Sequence, residues 1–445
     1  MSALNITHDP ARRSWIESAN AGDTDFPIQN LPFGAFVRGG ETRTGVAIGE
    51  RVVDLRALHD LALLDGDAAL ACASACDSTL NALMALDARH VSALRAALSD
   101  LLKHDALARS RLTSSIDAVL PLAADVELTL PCAIGDYTDF LTSLHHTERH
   151  GRYKGLADPL PVAFKSLPIA YHGRASSLRV SGGDVRRPYG QFRDADGNVR
   201  FGPAPMLDFE LELAAVIGRG NALTRPIPID DARNHVFGYC LLNDWSAKSI
   251  QWFEQVLGPF LGKSFHSSVS PWLVTEEALA PFRKVAPSRA AGDPAILPHL
   301  RGAHDQQNGG LNLDLYAHLS TAAMRSDRMP AMQITHTHPD NLYWTFAQMI
   351  AHHTSNGCNL RTGDLLGSGT ISGASDASRA CLTELSEAGK KPFALPNGES
   401  RISLEDGDEI VLSARASAPG AVSIGFGECR GRIAAALPYP HAEEH

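Results

Sequence analysis

The segment Met206-Leu207-Asp208-Phe209-Glu210-Leu211-Glu212-Leu213 alternates apolar and acidic residues at the two-residue period of a β-strand. Glu210 and Glu212 then share one face, where adjacent carboxylates repel unless water solvates them or a cation neutralises them. Taken alone, the segment fits either case. A second acid, Asp244, follows the strand-like run Val236 to Asn243, and a helix predicted from Trp245 sets Lys248 and Gln251 on its side, four and seven residues on. By itself Asp244 reads better as a helix cap. A third acid, Asp139, precedes Leu141 to His150, a stretch predicted to be helical from Thr138 or Asp139. On that helix His146 shares the face of Asp139, roughly 10 Å along the axis, while His145 is rotated away. A lone histidine is usually structural or solvated, so His146 draws interest only from its company.

Four carboxylates with no CxxC or paired-histidine motif nearby make a hard, oxygen-only site, which selects magnesium or calcium over zinc or copper. Such an ion would act as a Lewis acid. A glycosidase pair at Glu210 and Glu212 ranks low, because carboxylates two apart on one strand lie too close and too parallel to flank a glycosidic bond. Thr335-His336-Thr337-His338 could also suggest metal, but a polar strand or loop fits it better.

These residues must be positioned by a chain of 445 residues, long enough for two domains. From Gly34 to Leu55 short apolar runs alternate with glycine turns, predicting a β-meander that opens a small barrel. Between Ser78 and Leu107, Leu94, Leu98, Leu101 and Leu102 recur at helical spacing. A junction near Ala123 divides the chain into an N-terminal domain, residues 1–123, and a β-rich domain, residues 124–445. In the second, a helix from Tyr343 to His353 stops at Asn356-Gly357, and Asp406-Gly407 is predicted as a hairpin turn. A hydrophobic fraction of 44% and a charged fraction of 20% suit a soluble globular protein. The net charge of -10 gives no reason to expect nucleic acid. The start lacks the pattern of a signal peptide and no apolar run is long enough to span a bilayer. The seven cysteines are scattered, without the pairing of a disulfide framework or zinc site. The expected location is the cytoplasm, with no membrane partner.

Six motifs then stand out: Ile134-Gly-Asp-Tyr-Thr-Asp-Phe140, Tyr171-His-Gly-Arg-Ala-Ser-Ser177, Asp208-Phe-Glu-Leu-Glu212, Asn243-Asp-Trp-Ser-Ala247, Gly258-Pro-Phe-Leu-Gly-Lys-Ser-Phe265 and Asn356-Gly-Cys-Asn-Leu-Arg361. In order and spacing the chain resembles the fumarylacetoacetase family over nearly its whole length. The resemblance implies a mainly β (α+β) fold, with a small SH3-like N-terminal barrel followed by a larger mixed β-roll catalytic domain, and a homodimer. It places metal ligands at Asp139, Glu210, Glu212 and Asp244, and an accessory cation at Asp244, Lys263 and Ser267. It makes His146 the general base and Glu384 the carboxylate that orients it.

The implied reaction is metal-dependent hydrolysis of a C–C bond in a β-diketo acid, 4-fumarylacetoacetate to fumarate and acetoacetate, the last step of tyrosine and phenylalanine catabolism. His146 takes a proton from water, the hydroxide adds to a carbonyl polarised by Mg2+ or Ca2+, and Lys263 and Gln251 help hold the leaving enolate. No organic cofactor is implied. Lys154, Tyr171, Gln251 and Thr370 match substrate contacts, and Lys248 is expected to project toward the substrate. Three positions depart from the family: Lys248 and Lys154 replace arginines and Leu141 replaces a tyrosine. Lysine keeps the charge without the planar two-point grip on a carboxylate. Two further readings stand beside this one. An acylpyruvate or other diketo-acid hydrolase would share the acids but take a different acyl end. A non-catalytic calcium-binding protein would share the acids but have no use for His146, Glu384 and Lys263.

Overall fold

The computed structural model describes residues 4–440. The N-terminal meander runs through the antiparallel strands Phe33–Arg38, Glu41–Ile48 and Arg51–Asp54. Gly39, Gly40 and Gly49 have positive φ at its two turns, a conformation that costs glycine nothing. The strand Phe33–Arg38 continues into a twelve-stranded sheet by pairing with Trp272–Thr275, Gly34 opposite Trp272. A Cβ on Gly34 would lie 2.5 Å from the Trp272 ring, so glycine is what lets the two strands approach. Beyond Trp272–Thr275 the sheet proceeds through Val236–Asn243, Leu211–Ile217, Leu365–Gly367, Tyr137–Leu141 and Ile169–Gly173. A second, five-stranded sheet contains Met332–Thr337, Leu313–Ser320, Glu409–Ala416, Ile424–Ala434 and Asp184–Arg186 in that order.

The helix Ala88–Leu102 buries Leu94, Leu98 and Leu102, the face its spacing predicts. One apolar core joins both halves of the sequence, packing Phe33, Val46, Leu94 and Leu98 with Val216, Phe237, Leu242, Leu273 and Leu365. Among the described residues no helix is long and apolar enough to cross a membrane, and all seven cysteines are free.

Four local expectations change. Tyr137–Leu141 is a strand, pinned between Leu365–Gly367 and Ile169–Gly173, so the helix starts only at Leu144, where Ser143 caps it by accepting from the His146 backbone N–H at 3.2 Å. Asp139 and His146 therefore do not share a helical face. Ser246–Ala247 pairs with Leu207–Asp208, which delays the second helix to Lys248–Glu254 and leaves Asp244 outside it. The alternating acidic run is interrupted between Leu207–Asp208 and Leu211–Ile217, and both of its faces are buried, which removes the solvated-face reading. Gly407 turns with φ 91°, but the strands flanking it, Ser400–Arg401 and Glu409–Ala416, pair elsewhere and form no hairpin with each other. The helix Phe346–Thr354 does end ahead of Asn356-Gly357, with φ 91° at Gly357.

Candidate active site

The sheet order brings the acids together. Gly367 pairs with Asp139 on one side and Ala214 on the other, which sets Asp139 beside Glu212 across one short strand. A Cβ at Gly367 would fall 2.6 Å from Asp139 Oδ1 and 3.0 Å from Glu212 Oε2, so the missing side chain is the space these carboxylates occupy. Asp244, at the end of Val236–Asn243, completes a buried group in which Asp139, Glu212 and Asp244 each offer an oxygen within 4.8 Å of the others. Glu210 lies next to this group, but each of its oxygens already faces an ammonium: Lys248 Nζ is 2.5 Å from Oε1 and Lys263 Nζ is 2.7 Å from Oε2. Lys263 Nζ also reaches Asp244 Oδ2 at 2.6 Å, and Ser267 Oγ donates to Asp244 Oδ1 at 3.0 Å. The Lys263 side chain thus works as a donor.

The donor set fits a hard divalent cation. Four buried carboxylates face two ammonium groups, leaving two negative charges uncompensated. Asp139 Oδ1 and Glu212 Oε1 are buried without any hydrogen-bond partner, a costly state that an oxygen-preferring ion relieves. Without an ion, burial and then repulsion from Asp244 push Asp139 well above the usual carboxylate range. Burial and then Asp139 do the same to Glu212. At Glu210 burial also opposes ionisation, but Lys248 and Lys263 outweigh it and hold the group well below that range.

The second half of the site is an oriented imidazole. His146 Nδ1 lies 2.5 Å from Glu384 Oε1. Since the carboxylate can only accept, Nδ1 carries the proton and Nε2 is left as the base. Glu384 also accepts from Ser372 Oγ at 2.7 Å and from Arg149 at 2.6 Å. Burial opposes its charge, but the hydrogen bonds from His146 and Ser372 hold the carboxyl far below its ordinary value. The short helix Leu382–Leu385 that carries Glu384 is docked by Asp208, whose two oxygens accept from the backbone N–H groups of Leu382 and Thr383 at 2.7 and 2.8 Å. A buried aspartate two residues from Glu210 thereby ties the His146 partner to the acid cluster.

Both halves open on one cavity of about 550 Å³, lined by Asp139, His146, Glu210, Lys248, Gln251 and Lys263 among others. Lys154, Tyr171 and Thr370 line it too, as does Leu141. Glu212, Asp244, Ser267 and Glu384 stand behind the wall, and His145 does not reach it. Tyr171 donates to Asp244 Oδ2 at 2.7 Å. Gln251 Oε1 and Thr370 Oγ1 are buried and unpartnered, free to meet a ligand. Burial, then the charge of Lys248, lowers the pKa of Lys154. A second cavity, about 570 Å³, lies against Asp87, Arg219, Arg233 and Glu276, but these charges are spent in the pairs Arg219–Asp87 and Arg233–Glu276.

Sequence reasoning missed Arg149, Ser372, Asp208 and His150. Arg149 lies three residues beyond His146 on one helix and could have been found from that spacing. Asp208 and Ser372 gave no signal, because their partners are far away in sequence. His150, one turn beyond His146, lies against it with ring centroids 4.0 Å apart and planes inclined at 37°. Burial, then the charges of His146 and Lys248, press its pKa well below the usual value, which keeps it neutral.

A cavity that joins a carboxylate cluster to an oriented base defines an enzyme of the hydrolytic class, able to activate water against a polarised carbonyl. Within that class, the chain belongs to the fumarylacetoacetase family. The family model described as "Fumarylacetoacetase N-terminal" matches residues 29–131, and that described as "Fumarylacetoacetate (FAA) hydrolase C-terminal" matches residues 137–434. Fumarylacetoacetase of Oryza sativa subsp. japonica is 41% identical over 437 residues, covering 96% of this chain and 98% of the relative. The Bos taurus and Homo sapiens fumarylacetoacetases are 41% and 40% identical, each covering 94% of this chain and 98% of their own. Among solved structures, fumarylacetoacetate hydrolase from Exiguobacterium antarcticum matches with a TM-score of 0.49 at 16% identity, over 91% of this chain and 99% of that one. The expected fold class, mainly β with an N-terminal module before a larger catalytic domain of this family, agrees with the two family-model matches and with the sheets described above.

Proposed function

We propose that the chain hydrolyses 4-fumarylacetoacetate to fumarate and acetoacetate, with a magnesium or calcium ion held by Asp139, Glu212 and Asp244 and adjoined by Glu210. The observation that carries this reading is the opening of His146, backed by Glu384, and of Asp139, Lys248 and Lys263 on a single cavity. When bound, the ion supplies Lewis-acid polarisation of the diketone oxygens. His146 Nε2 removes a proton from water, and Glu384, locked by Arg149 and Ser372, stabilises the imidazolium that forms. Hydroxide adds to the ketone, and collapse breaks the C–C bond to give a carboxylic acid and an enolate. Lys263 and Gln251 face the charge that develops on the enolate oxygen, and the proton held by His146 completes acetoacetate. A pool of calcium storage has no use for this imidazole–carboxylate pair.

Lys248 lines the cavity, as expected of a side chain projecting toward substrate, but it is buried and paired with Glu210. Its charge steadies Glu210, and among the cationic side chains of the cavity wall the grip on a distal carboxylate passes to Lys154. This weaker grip favours a second reading, a hydrolase of shorter acylpyruvates. By the same family reasoning the chain works as a cytoplasmic homodimer in tyrosine and phenylalanine breakdown, on a small diketo acid alone. The deciding experiment offers the Mg2+-loaded protein fumarylacetoacetate and a series of acylpyruvates, with products identified by mass spectrometry. Fumarate and acetoacetate formed at the highest kcat/KM support the first reading; preferential release of pyruvate from a short acylpyruvate replaces it with the second.

A further inference from the structure

We propose a second metal site, for a zinc-, nickel- or copper-like ion, on the open face of the five-stranded sheet, formed by Asp314, His336 and His338. The His-x-His spacing at 336–338 puts both imidazoles on one face of a strand, and nothing in the hydrolytic site uses them. The structure supplies the third donor. Met332–Thr337 runs antiparallel to Leu313–Ser320 with Tyr316 opposite His336 and Leu315 opposite Thr337, and just past the end of that ladder His338 Nδ1 meets the Leu313 carbonyl at 3.1 Å, next to Asp314. Asp314 Oδ1 is 2.7 Å from His336 Nε2 and 3.5 Å from His338 Nδ1. One donor atom from each of the three lies within 4.8 Å of the others.

Several features favour an ion over a plain hydrogen-bonded cluster. The side chains are 33–45% exposed, so an ion can enter and water can complete the coordination. The backbone beneath is fixed, since Leu313–Ser320 is bonded on both sides, to Met332–Thr337 and to Glu409–Ala416. Tyr316 stacks on the His336 ring with centroids 4.7 Å apart and planes 14° apart, which sets its orientation. Two imidazoles and one carboxylate suit borderline ions, whereas the oxygen-only cluster in the cavity suits magnesium or calcium, so the two sites sort different metals. Met332–Thr337 is the outer strand of its sheet, and an ion bridging Asp314 to the two histidines would clip that edge to its neighbour.

The test titrates chelator-stripped, full-length protein with Zn2+ and, separately, Ni2+ in the presence of excess Mg2+, following binding by calorimetry. The wild-type chain should take up one more equivalent than His336→Gln/His338→Gln, and Asp314→Asn should bind at least about tenfold more weakly. Mg2+-supported turnover in the variants should match wild type and confirms that they fold. In the wild-type chain Ni2+ should broaden the ring-proton resonances of His336 and His338 before those of other histidines, a readout that needs no variant. Equal uptake by wild type and double variant, absence of Zn2+ and Ni2+ binding in both, or first broadening at other histidines would each overturn the site. Loss of turnover with fumarylacetoacetate would bear on the hydrolytic reading alone and leave this comparison intact.

Discussion

Glu210 differs from its neighbours in having both oxygens already engaged by ammonium groups, and that difference sets what Lys248 does. Lys248→Met removes one partner of a buried ion pair and leaves Glu210 undercompensated, a change that costs about 3–5 kcal/mol of stability. The melting temperature and kcat/KM should both fall in Lys248→Met, while Lys248→Arg keeps the pair and most of the activity; an unchanged melting temperature in Lys248→Met would contradict the pairing. The carboxylates themselves dictate a pH dependence. Asp139 and Glu212 are raised well above the carboxylate range in the metal-free chain, so the folded chain binds more protons than the unfolded one, and stability falls as pH rises from the unfolded values of about 4 toward the folded ones. Glu384 has the opposite shift and loses its contribution only as pH falls below the ordinary glutamate range. Chelator-treated protein should therefore melt lower at about pH 8 than at about pH 6, and the rise in Tm on adding Mg2+ should be larger at the higher pH. A metal-induced rise independent of pH would show that the acids are already ionised. At this scale the sequence was informative where residues are neighbours, as for Glu210 and Glu212, and silent where they are not: nothing local distinguishes Glu384, 238 residues from His146, and only the family resemblance selected it.

Elements explain both the successes and the errors of sequence reasoning. Helix starts were misplaced at Asp139 and Trp245 because in each case a tertiary strand partner, Ile169–Gly173 or Leu207–Asp208, overrode the local preference. The cap at Ser143, by contrast, is a local signal that could have been read. The same tertiary logic makes Leu382–Leu385 dependent on Asp208, since a helix of four residues cannot hold itself together. Asp208→Ala should leave two buried N–H groups without acceptors, costing about 1–3 kcal/mol, and should loosen Glu384 from His146. The expected result is a drop of roughly tenfold or more in kcat with metal content unchanged, smaller than the loss in Glu384→Gln. Backbone amide exchange at Leu382 and Thr383 should quicken in the variant. Protection equal to wild type at these amides would mean that the helix is docked by its packing alone. At His146 the element gives a sharper comparison: His146→Ala should abolish the chemical step, whereas His145→Ala, one position round the same helix and off the cavity, should be mild.

At the scale of the whole molecule, a change near Ala123 from meander and helices to glycine- and proline-punctuated strands reads in the sequence as a domain junction, but nothing in it shows that the two stretches share one core. Periodicity reports which face of an element is buried and says nothing about what buries it. Here Phe33–Arg38 extends the sheet that holds the acids, and Leu94 and Leu98 pack in the same core as Val216 and Leu242, strand neighbours of Glu212 and Asn243. Cutting the chain at 123 would strip the edge of Trp272–Thr275 and expose this apolar surface, a combination that invites aggregation. The full chain should consequently unfold in one calorimetric transition, with the N-terminal meander and the acid cluster lost together. Saturating Mg2+ at about 100 times its Kd should add about 2.7 kcal/mol to that single transition and move it as a unit. The expressed fragment 124–445 should be insoluble or should fail to bind Mg2+. Two resolved transitions, only one of them shifted by Mg2+, would show that the meander folds independently of the sheet it extends, and a soluble fragment with full Mg2+ affinity would show that the shared core is dispensable for the site.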